Sequence, residues 1–312
     1  MSVSGFGGRR WRPPHLIRGL IIVAILVGLA VVRLALGAPG TTRDRAAGRA
    51  AQQGRVLFDG SSFRGSSVAP YARIYSTGPF STTNPRRHGI VAVRDPTGLP
   101  RTVLKLTTDD SQSRGGIVRV QAESHADIAR KGDTIWILNE FYNPGIPPVT
   151  SWLTLGSLYA GGSTGPGRVS IGVRGDHGRN YLTWTDEGGN SGRTGKPVWR
   201  TPFTPGTWQV VARKIHVSDD PNAGWMEIYH AVLGHPLRRQ RLLGPWAGRM
   251  RRVMATVSSR WPGPFDVRIN NYHAAGMPGW SGVHSVYDAD HKVFRGSATL
   301  RQIDPFSTGP GN

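Results

Sequence analysis

Short runs of alternating polar and apolar residues, rich in Val, Ile, Thr, Trp and Tyr, follow one another from residue 55 to about residue 310. Gly, Pro, Asn or Asp bounds each run, and these residues favour turns. The pattern predicts about a dozen strands in a single domain (55–312), and therefore a sandwich or barrel. The runs are VLFDG, GIVAVRD, TVLKLTTDD, GGIVRVQAES, DTIWILNEFYNP, WLTLGSLY, RVSIGVRGD, YLTWTDE, TWQVVARKIHVSDD, GWMEIYHAV, FDVRINNYHA and SVYDADHKVFRGSATLRQI.

Residues 16–36 break this pattern, because they are almost entirely apolar, with Arg18 and Arg33 near the ends. As a helix they would be about 30 Å long, which is enough to cross a bilayer. A cleavable signal peptide shares these features, although no clean cleavage motif follows. We expect a cell-membrane anchor with residues 1–15 as a basic cytoplasmic tail and the main domain extracytoplasmic, or a secreted domain if the segment is cleaved. We expect residues 37–54 to form a linker.

Charge and composition narrow the choice of partners. The chain has 39 Lys+Arg against 19 Asp+Glu, a formal net charge of +20, and no cysteine. Without cysteine there can be no disulfide, thiolate metal site or cysteine nucleophile. The excess charge predicts an anionic partner, and since no nucleic-acid motif is present we expect no nucleic acid. The oligomeric state is left open.

Two of the predicted strands carry an unusual polar face. In residues 117–123 and 267–272, apolar positions alternate with arginine, amide, glutamate and tyrosine rather than with the usual Thr, Lys and Ser. A sheet face of this kind suits an anionic polymer. The polar residues are Arg119, Gln121 and Glu123 in the first strand and Arg268, Asn270 and Tyr272 in the second.

Several of these runs resemble, in the same order, motifs of the polysaccharide lyases of the heparin lyase I and alginate lyase type. The similar stretches are VLFDG, RVQAES (119–124), KGDTIWILNEFYNP (131–144), PGTWQVVARKIH (205–216) with GWMEIY (224–229), and RINNYH (268–273). The resemblance implies a concanavalin A-like β-jelly roll, in agreement with the strand count. It also implies β-elimination on an acidic, uronate-containing polysaccharide.

The resemblance further implies roles for single residues. The C5 proton of a uronate is weakly acidic, so the neighbouring carboxylate must be neutralised, which is the role implied for Arg119 and Gln121. Tyr272 corresponds to the acid or base. The residues expected to bind substrate are Arg268, Asn270, Glu123, His273 and Trp280, the last because tryptophans in Pro/Gly-rich loops, Trp261 among them, can stack on sugar rings.

One motif of the family is missing from this sequence, and its absence bears on whether the protein is a lyase or a non-catalytic binding protein. The alginate-lyase type carries Gln-x-His on the strand after its aromatic strand, whereas WLTLGSLY (152–159) offers Ser157 and Tyr159. A tyrosine can act as base where nearby arginines depress its pKa, so Tyr159 joins the catalytic candidates. The alternative is a non-catalytic, lectin-like envelope protein on the same fold. A third option is a structural surface protein that uses the arginines of residues 238–252.

Metal and cofactor signals are weak. Asp288, Asp290 and His291 could bind a cation or end a turn, and the loop acids show no Ca²⁺-ligand spacing. No P-loop, dinucleotide fingerprint, HExxH or GxSxG motif occurs. We therefore expect no cofactor and no metal, with a Ca²⁺ site at the loop acids as an alternative that no ligand spacing supports.

Overall fold

The computed structural model describes residues 56–61, 68, 70–125, 127–160, 169–185, 197–257, 259, 263–296, 298–304 and 306. The expected tail (1–15), membrane or signal segment (16–36) and linker (37–54) lie outside these residues, as does Trp261. Within the described part of the chain, no helix combines the length and apolar character needed to span a membrane.

The described residues form strands almost throughout. The strands are β1 (Val56–Asp59), β2 (Arg73–Ser76), β3 (Gly89–Arg94), β4 (Thr102–Asp109), β5 (Ile117–Glu123), β6 (Thr134–Tyr142), β7 (Leu153–Ala160), β8 (Ile171–Asp176), β9 (Arg179–Thr185), β10 (Pro197–Pro202), β11 (Trp208–His216), β12 (Trp225–Val232), β13 (Arg238–Arg239), β14 (Arg252–Val253), β15 (Phe265–Ala274) and β16 (Val283–Arg295). One α-helix, α1 (Leu300–Ile303), and two 3₁₀ turns, Asp110–Gln112 and Gly244–Trp246, complete the described elements.

The strands pair into two antiparallel sheets. One sheet has nine strands in the order β13-β12-β11-β6-β16-β4-β3, with β1 also paired to β16 and β14 to β12. The other has seven strands in the order β10-β9-β8-β7-β15-β5-β2. The expected all-β sandwich is therefore confirmed.

The main core lies between the two sheets, because alternate residues of each strand point inward. In β5 these are Val118, Val120 and Ala122, and in β15 they include Val267 and Ile269, all fully buried. Burying one such large apolar side chain contributes about 1.5–3 kcal/mol. The same alternation places the polar residues of β5 and β15 on the opposite, outer face of the seven-stranded sheet.

The outer face of the nine-stranded sheet is largely apolar and is covered by the chain itself. Trp136, Leu138 and Phe294 form a second buried cluster, against which Ile303 of α1 packs. Asp304, the residue after α1, links this segment to Leu237, because its Oδ2 accepts a hydrogen bond of 2.7 Å from the backbone N–H of Leu237.

The structure corrects some predicted strands. β2, β10, β13 and β14 were not expected from the sequence: β13 and β14 have two residues each, and β10 has a proline at each end. The predicted run over residues 285–303 is a strand only as far as Arg295. A capping box between Thr299 and Gln302 then starts α1.

Candidate functional site

Strand register brings the two predicted polar faces together. β15 lies between β5 and β7 in the seven-stranded sheet. Opposite residues in paired antiparallel strands share one face, so the polar sets of β5 and β15 form one surface. The pairs are Tyr272 with Arg119, Asn270 with Gln121, and Arg268 with Glu123.

We call this surface the polar face. The neighbouring strands extend it, because Tyr75 of β2 pairs with Gln121, and Ser157 and Tyr159 of β7 pair with Arg268 and Asp266. The polar face thus comprises Tyr75, Arg119, Gln121, Glu123, Ser157, Tyr159, Asp266, Arg268, Asn270 and Tyr272.

A line of amides crosses the middle of the polar face. The Nε2 of Gln121 donates to Asn270 Oδ1 at 2.5 Å, and Asn270 Nδ2 donates to Ser157 Oγ at 3.0 Å. Both amides are almost completely buried. No described residue donates a hydrogen bond to Gln121 Oε1, so this face holds a buried acceptor without a protein donor.

Arg268 is already neutralised by acids of the protein. Its Nη2 lies 2.9 Å from Glu123 Oε2 and its Nε lies 2.9 Å from Asp266 Oδ1. The guanidinium is 3% exposed and sits 4.2 Å from the centroid of the Tyr159 ring. Two carboxylates and an aromatic ring already surround this cation. Arg268 is therefore placed to hold the residues of the polar face in position.

Arg119 differs in its charge balance. Its guanidinium lies 5.6 Å from the ring centroid of Tyr75 and 5.9 Å from that of Tyr272. It makes no ion pair with any described residue, and its Nε is buried without a hydrogen-bond acceptor. Tyr272 also packs edge-on against Trp152, with centroids 4.7 Å apart. Arg119 is therefore a cation on this face that no described acid compensates.

Asp266 carries an unusual proton affinity. Burial raises the pKa of its carboxyl to about 6, against the opposing effect of the Arg268 guanidinium. In the folded state Asp266 therefore keeps a proton at pH values where it would be ionised in the unfolded chain.

This shift predicts a pH-dependent stability. Because the folded pKa is the higher one, the contribution of Asp266 to the free energy of unfolding should fall as pH rises from about 4 to about 6, by about 3 kcal/mol in total. In Asp266→Asn this part of the decline should be absent. Urea unfolding of both proteins at pH 4, 5, 6 and 7 checks it, and parallel pH profiles for the two proteins would contradict it.

A buried arginine supports the polar face from behind. Arg213 of β11 donates to the backbone carbonyl of Val169 at 3.0 Å and contacts that of Gly156 at 3.5 Å, next to Ser157. Its Nη2 donates to Asn139 Oδ1 at 2.9 Å. Burial lowers the pKa of Arg213 to about 10. Register shifts between Thr154 and Gly156 interrupt the pairing of β7 here, and Arg213 satisfies carbonyls that the sheet leaves open.

Two predicted substrate-binding residues lie elsewhere. His273 is fully buried between the sheets, where its Nε2 is 3.0 Å from Thr108 Oγ1, and burial lowers its pKa. Trp280 is also fully buried, and its Nε1 donates to the carbonyl of Pro148 at 3.2 Å. Neither side chain reaches the polar face, which corrects the expectation that they bind substrate.

Sequence reasoning also missed residues that the polar face contains. Tyr75 belongs to a four-residue strand that was not predicted, although Arg73-Ile-Tyr75 shows the alternation of a strand. Asp266 is two residues before Arg268, so the same period-2 argument could have placed it on this face.

No group of three or more His, Cys, Asp or Glu residues suited to a metal ion occurs in the described part of the chain. The three candidates of β16 are engaged separately. Asp288 accepts from Asn139 at 3.0 Å, Asp290 pairs with Lys292 at 2.9 Å, and His291 Nδ1 lies 3.0 Å from the hydroxyl of Tyr71.

Comparison with known proteins defines the fold. No protein-family model and no curated sequence matches this chain. Among solved structures, an endo-β-1,4-glucuronan lyase from the fungus Trichoderma reesei is similar, with a TM-score of 0.51 and 15% identity over 78% of this chain and 98% of that one.

Two further structures have lower scores. A GH131 β-glucanase catalytic domain from Podospora anserina has a TM-score of 0.45 and 15% identity, over 81% of this chain and 88% of that one. An alginate lyase from Chlorella virus has a TM-score of 0.39 and 11% identity, over 66% and 89%. At such identities the likeness to the glucuronan lyase is one of fold: this chain is a two-sheet sandwich of the type on which that polysaccharide lyase is built.

Proposed function

We propose that the polar face binds an acidic, uronate-containing polysaccharide outside the cytoplasm and cleaves it by β-elimination. One observation carries this proposal: Arg119, which no described acid compensates, lies opposite Tyr272 on the neighbouring strand. A cation beside a phenol, on a face of hydrogen-bonding groups, is what this reaction on a uronate requires.

The chemistry assigns a role to each group. Arg119 would pair with the uronate carboxylate and stabilise the enolate-like intermediate that forms when the C5 proton leaves. The electron pair of the C5–H bond then forms the C4–C5 double bond as the C4–O glycosidic bond breaks. The departing oxygen needs one proton. Tyr272 would start as the phenolate, take the C5 proton and return that proton to the departing oxygen, which leaves Tyr272 again as the phenolate.

The amides take a different role from the one the sequence suggested. Gln121 uses an N–H to hold Asn270 and is almost completely buried, so we assign it to positioning the face rather than to contacting the uronate carboxylate. Asn270, Glu123 and Arg268 are occupied with one another or with Ser157 and Asp266, so we assign them to positioning the face. The ring of Tyr159 packs against the guanidinium of Arg268, and the side chain is 5% exposed. Tyr159 is the second candidate for the acid or base.

The fold adds support without deciding the substrate. The glucuronan lyase with the same fold acts, by its name, on a polymer of glucuronate, so the sandwich can carry this type of reaction. The sandwich of two antiparallel sheets and the order of the resembling motifs fit the same proposal.

A non-catalytic, lectin-like function is the second candidate. Among the described strand residues of the seven-stranded sheet, the one histidine is His273, which points into the core. Ser157 and Tyr159 occupy β7 where the alginate-lyase type has Gln-x-His. A face that kept the arginine and amides but lacked a competent base would bind the polymer and leave it intact.

Incubation with a panel of polymers separates the two functions. We expect the purified full chain to release unsaturated products, absorbing in the ultraviolet, from at least one of glucuronan, alginate and heparin, but none from neutral β-glucan. Product from none of them, with one of the acidic polymers still retained on the protein, would support the lectin-like function. Absence of both product and binding would reject the two proposals together.

A further inference from the structure

A long stretch of the chain carries positive charge without any acid. Between Glu227 and Asp266 the sequence contains no Asp or Glu. The arginines in this stretch are Arg238, Arg239, Arg241, Arg249, Arg251, Arg252 and Arg260. Of these arginines, none that the structure describes belongs to the polar face, so the proposed function does not account for their charge.

Most of these arginines lie on one loop, Arg238–Val253, which we call the arginine loop. Its two ends pair beside each other with β12: β13 pairs with Tyr229 and His230, and β14 with Trp225 and Met226. Within it, the N–H of Leu242 donates to the carbonyl of Arg249 at 2.8 Å. The loop therefore covers an edge of the nine-stranded sheet, and the N–H of Leu243 also donates to the carbonyl of Val198 in β10 at 2.7 Å. β10 is an edge strand of the seven-stranded sheet and is separated from β15 of the polar face by three strands.

The internal contacts of the arginine loop use only part of its charge. Arg239 Nη2 lies 2.8 Å from Glu227 Oε1, and Arg251 pairs with the same carboxylate. The Arg252 guanidinium stacks 3.9 Å from the Trp246 ring centroid and is buried.

Three arginines of the arginine loop are exposed and could bind an external anion. Arg238, Arg241 and Arg249 are exposed and form no ion pair with a described residue. Exposed cations that cluster without an acidic partner favour the binding of an anionic partner.

Apolar side chains accompany the free arginines. Leu243 is 37% exposed and Val253 is 55% exposed, and both belong to the arginine loop. A soluble polyanion would account for the arginines but would gain nothing from exposed leucine and valine. A lipid surface accounts for both, because its phosphates attract the guanidinium groups while short apolar side chains enter the headgroup region.

We propose that the arginine loop is a docking surface for anionic phospholipid. Arg238, Arg241 and Arg249 contact headgroup phosphates, and Leu243 and Val253 contact the upper part of the acyl region. This surface is independent of the polar face, so its occupancy and the lyase activity can be tested separately.

The absence of cysteine from the chain allows a direct test. The full chain with Leu243→Cys is spin-labelled, with Val253→Cys as the second label site in the loop. The control is Val283→Cys, a 50% exposed position at the start of β16. Each protein is incubated with vesicles of phosphatidylcholine alone or with 30% phosphatidylglycerol, and collision with lipid-soluble oxygen and a water-soluble nickel complex is measured.

We expect the labels at 243 and 253 to be shielded from nickel and exposed to oxygen with the anionic vesicles only, and the label at 283 to remain aqueous with both. Labels at 243 and 253 that stay aqueous with the anionic vesicles would overturn the proposal. Equal shielding at position 283 would also overturn it, because the contact would then not be specific to the loop.

Charge variants test the role of the arginines. Combining Arg238→Gln, Arg241→Gln and Arg249→Gln with the label at 243 should raise the anionic-vesicle concentration needed for half-maximal shielding by roughly 100-fold, whereas lysine at the three positions should change it little. Circular dichroism verifies folding. If the loop instead binds soluble heparin with no shielding by vesicles, the partner is a polymer and the lipid proposal is wrong.

Discussion

Tyr272→Phe should lower the turnover of the proposed elimination by about 10²–10⁴-fold, because removal of the phenol oxygen removes the group that moves the proton. The ring contacts with Trp152 and Arg119 do not need the hydroxyl, so the fold should persist. Ultraviolet absorbance of the products measures turnover, and retention on the acidic polymer measures binding. We expect binding to weaken much less than turnover.

Tyr181→Phe is the matched control. Tyr181 lies on β9 in the same sheet, with its ring 4.7 Å from the guanidinium of Arg200, and it is separated from β15 by two strands. Its loss of a hydroxyl should leave turnover within a few-fold of the parent. Full activity of Tyr272→Phe would remove Tyr272 from the mechanism, and Tyr159→Phe would then be the next variant to examine.

Arg268→Leu should destabilise the protein by about 3–5 kcal/mol, because it leaves the carboxylates of Glu123 and Asp266 buried without their cation. Arg119→Leu should change the free energy of unfolding little, since no described acid depends on Arg119. It should nevertheless abolish binding of the acidic polymer. The two variants therefore separate an arginine that holds the face together from one that meets the substrate.

Chemical denaturation and polymer retention together check this contrast. Asp266→Asn combined with Arg268→Leu should recover part of the lost stability, because one of the two unpaired charges is then removed. If Arg119→Leu is as destabilising as Arg268→Leu, Arg119 is structural and the proposed carboxylate site loses its cation. If Arg268→Leu is as stable as the parent, the buried ion pairs are not what holds this part of the sheet.

Local pattern was enough to predict much of this protein. Alternation in residues 117–123 and 267–272 placed Arg119, Gln121, Arg268 and Tyr272 on polar strand faces, because side-chain direction in a strand has a fixed period of two. The edge strand β2 was missed although Arg73-Ile-Tyr75 alternates, whereas β1, which is equally short, was predicted.

Burial and charge balance depend on partners that are distant in the sequence. Trp280 follows a Pro/Gly-rich loop, which suggested exposure, yet the neighbouring segments enclose it completely. Arg268 looked equivalent to Arg119 until the structure placed Glu123, 145 positions earlier in the chain, within 2.9 Å of it. Contacts between residues so far apart in the sequence cannot be predicted from the local pattern of a single sequence.

The sequence by itself determined the all-β class, the residues that share a strand face, and an excess of arginine that predicts an anionic partner. Tertiary structure decided which strands are neighbours, and hence that the faces of β5 and β15 form one surface with Tyr75 and Tyr159. It also decided that Arg268 is neutralised while Arg119 is not. The physical reason is that periodicity is local, whereas strand pairing, desolvation and ion pairing arise between residues that only the fold brings together.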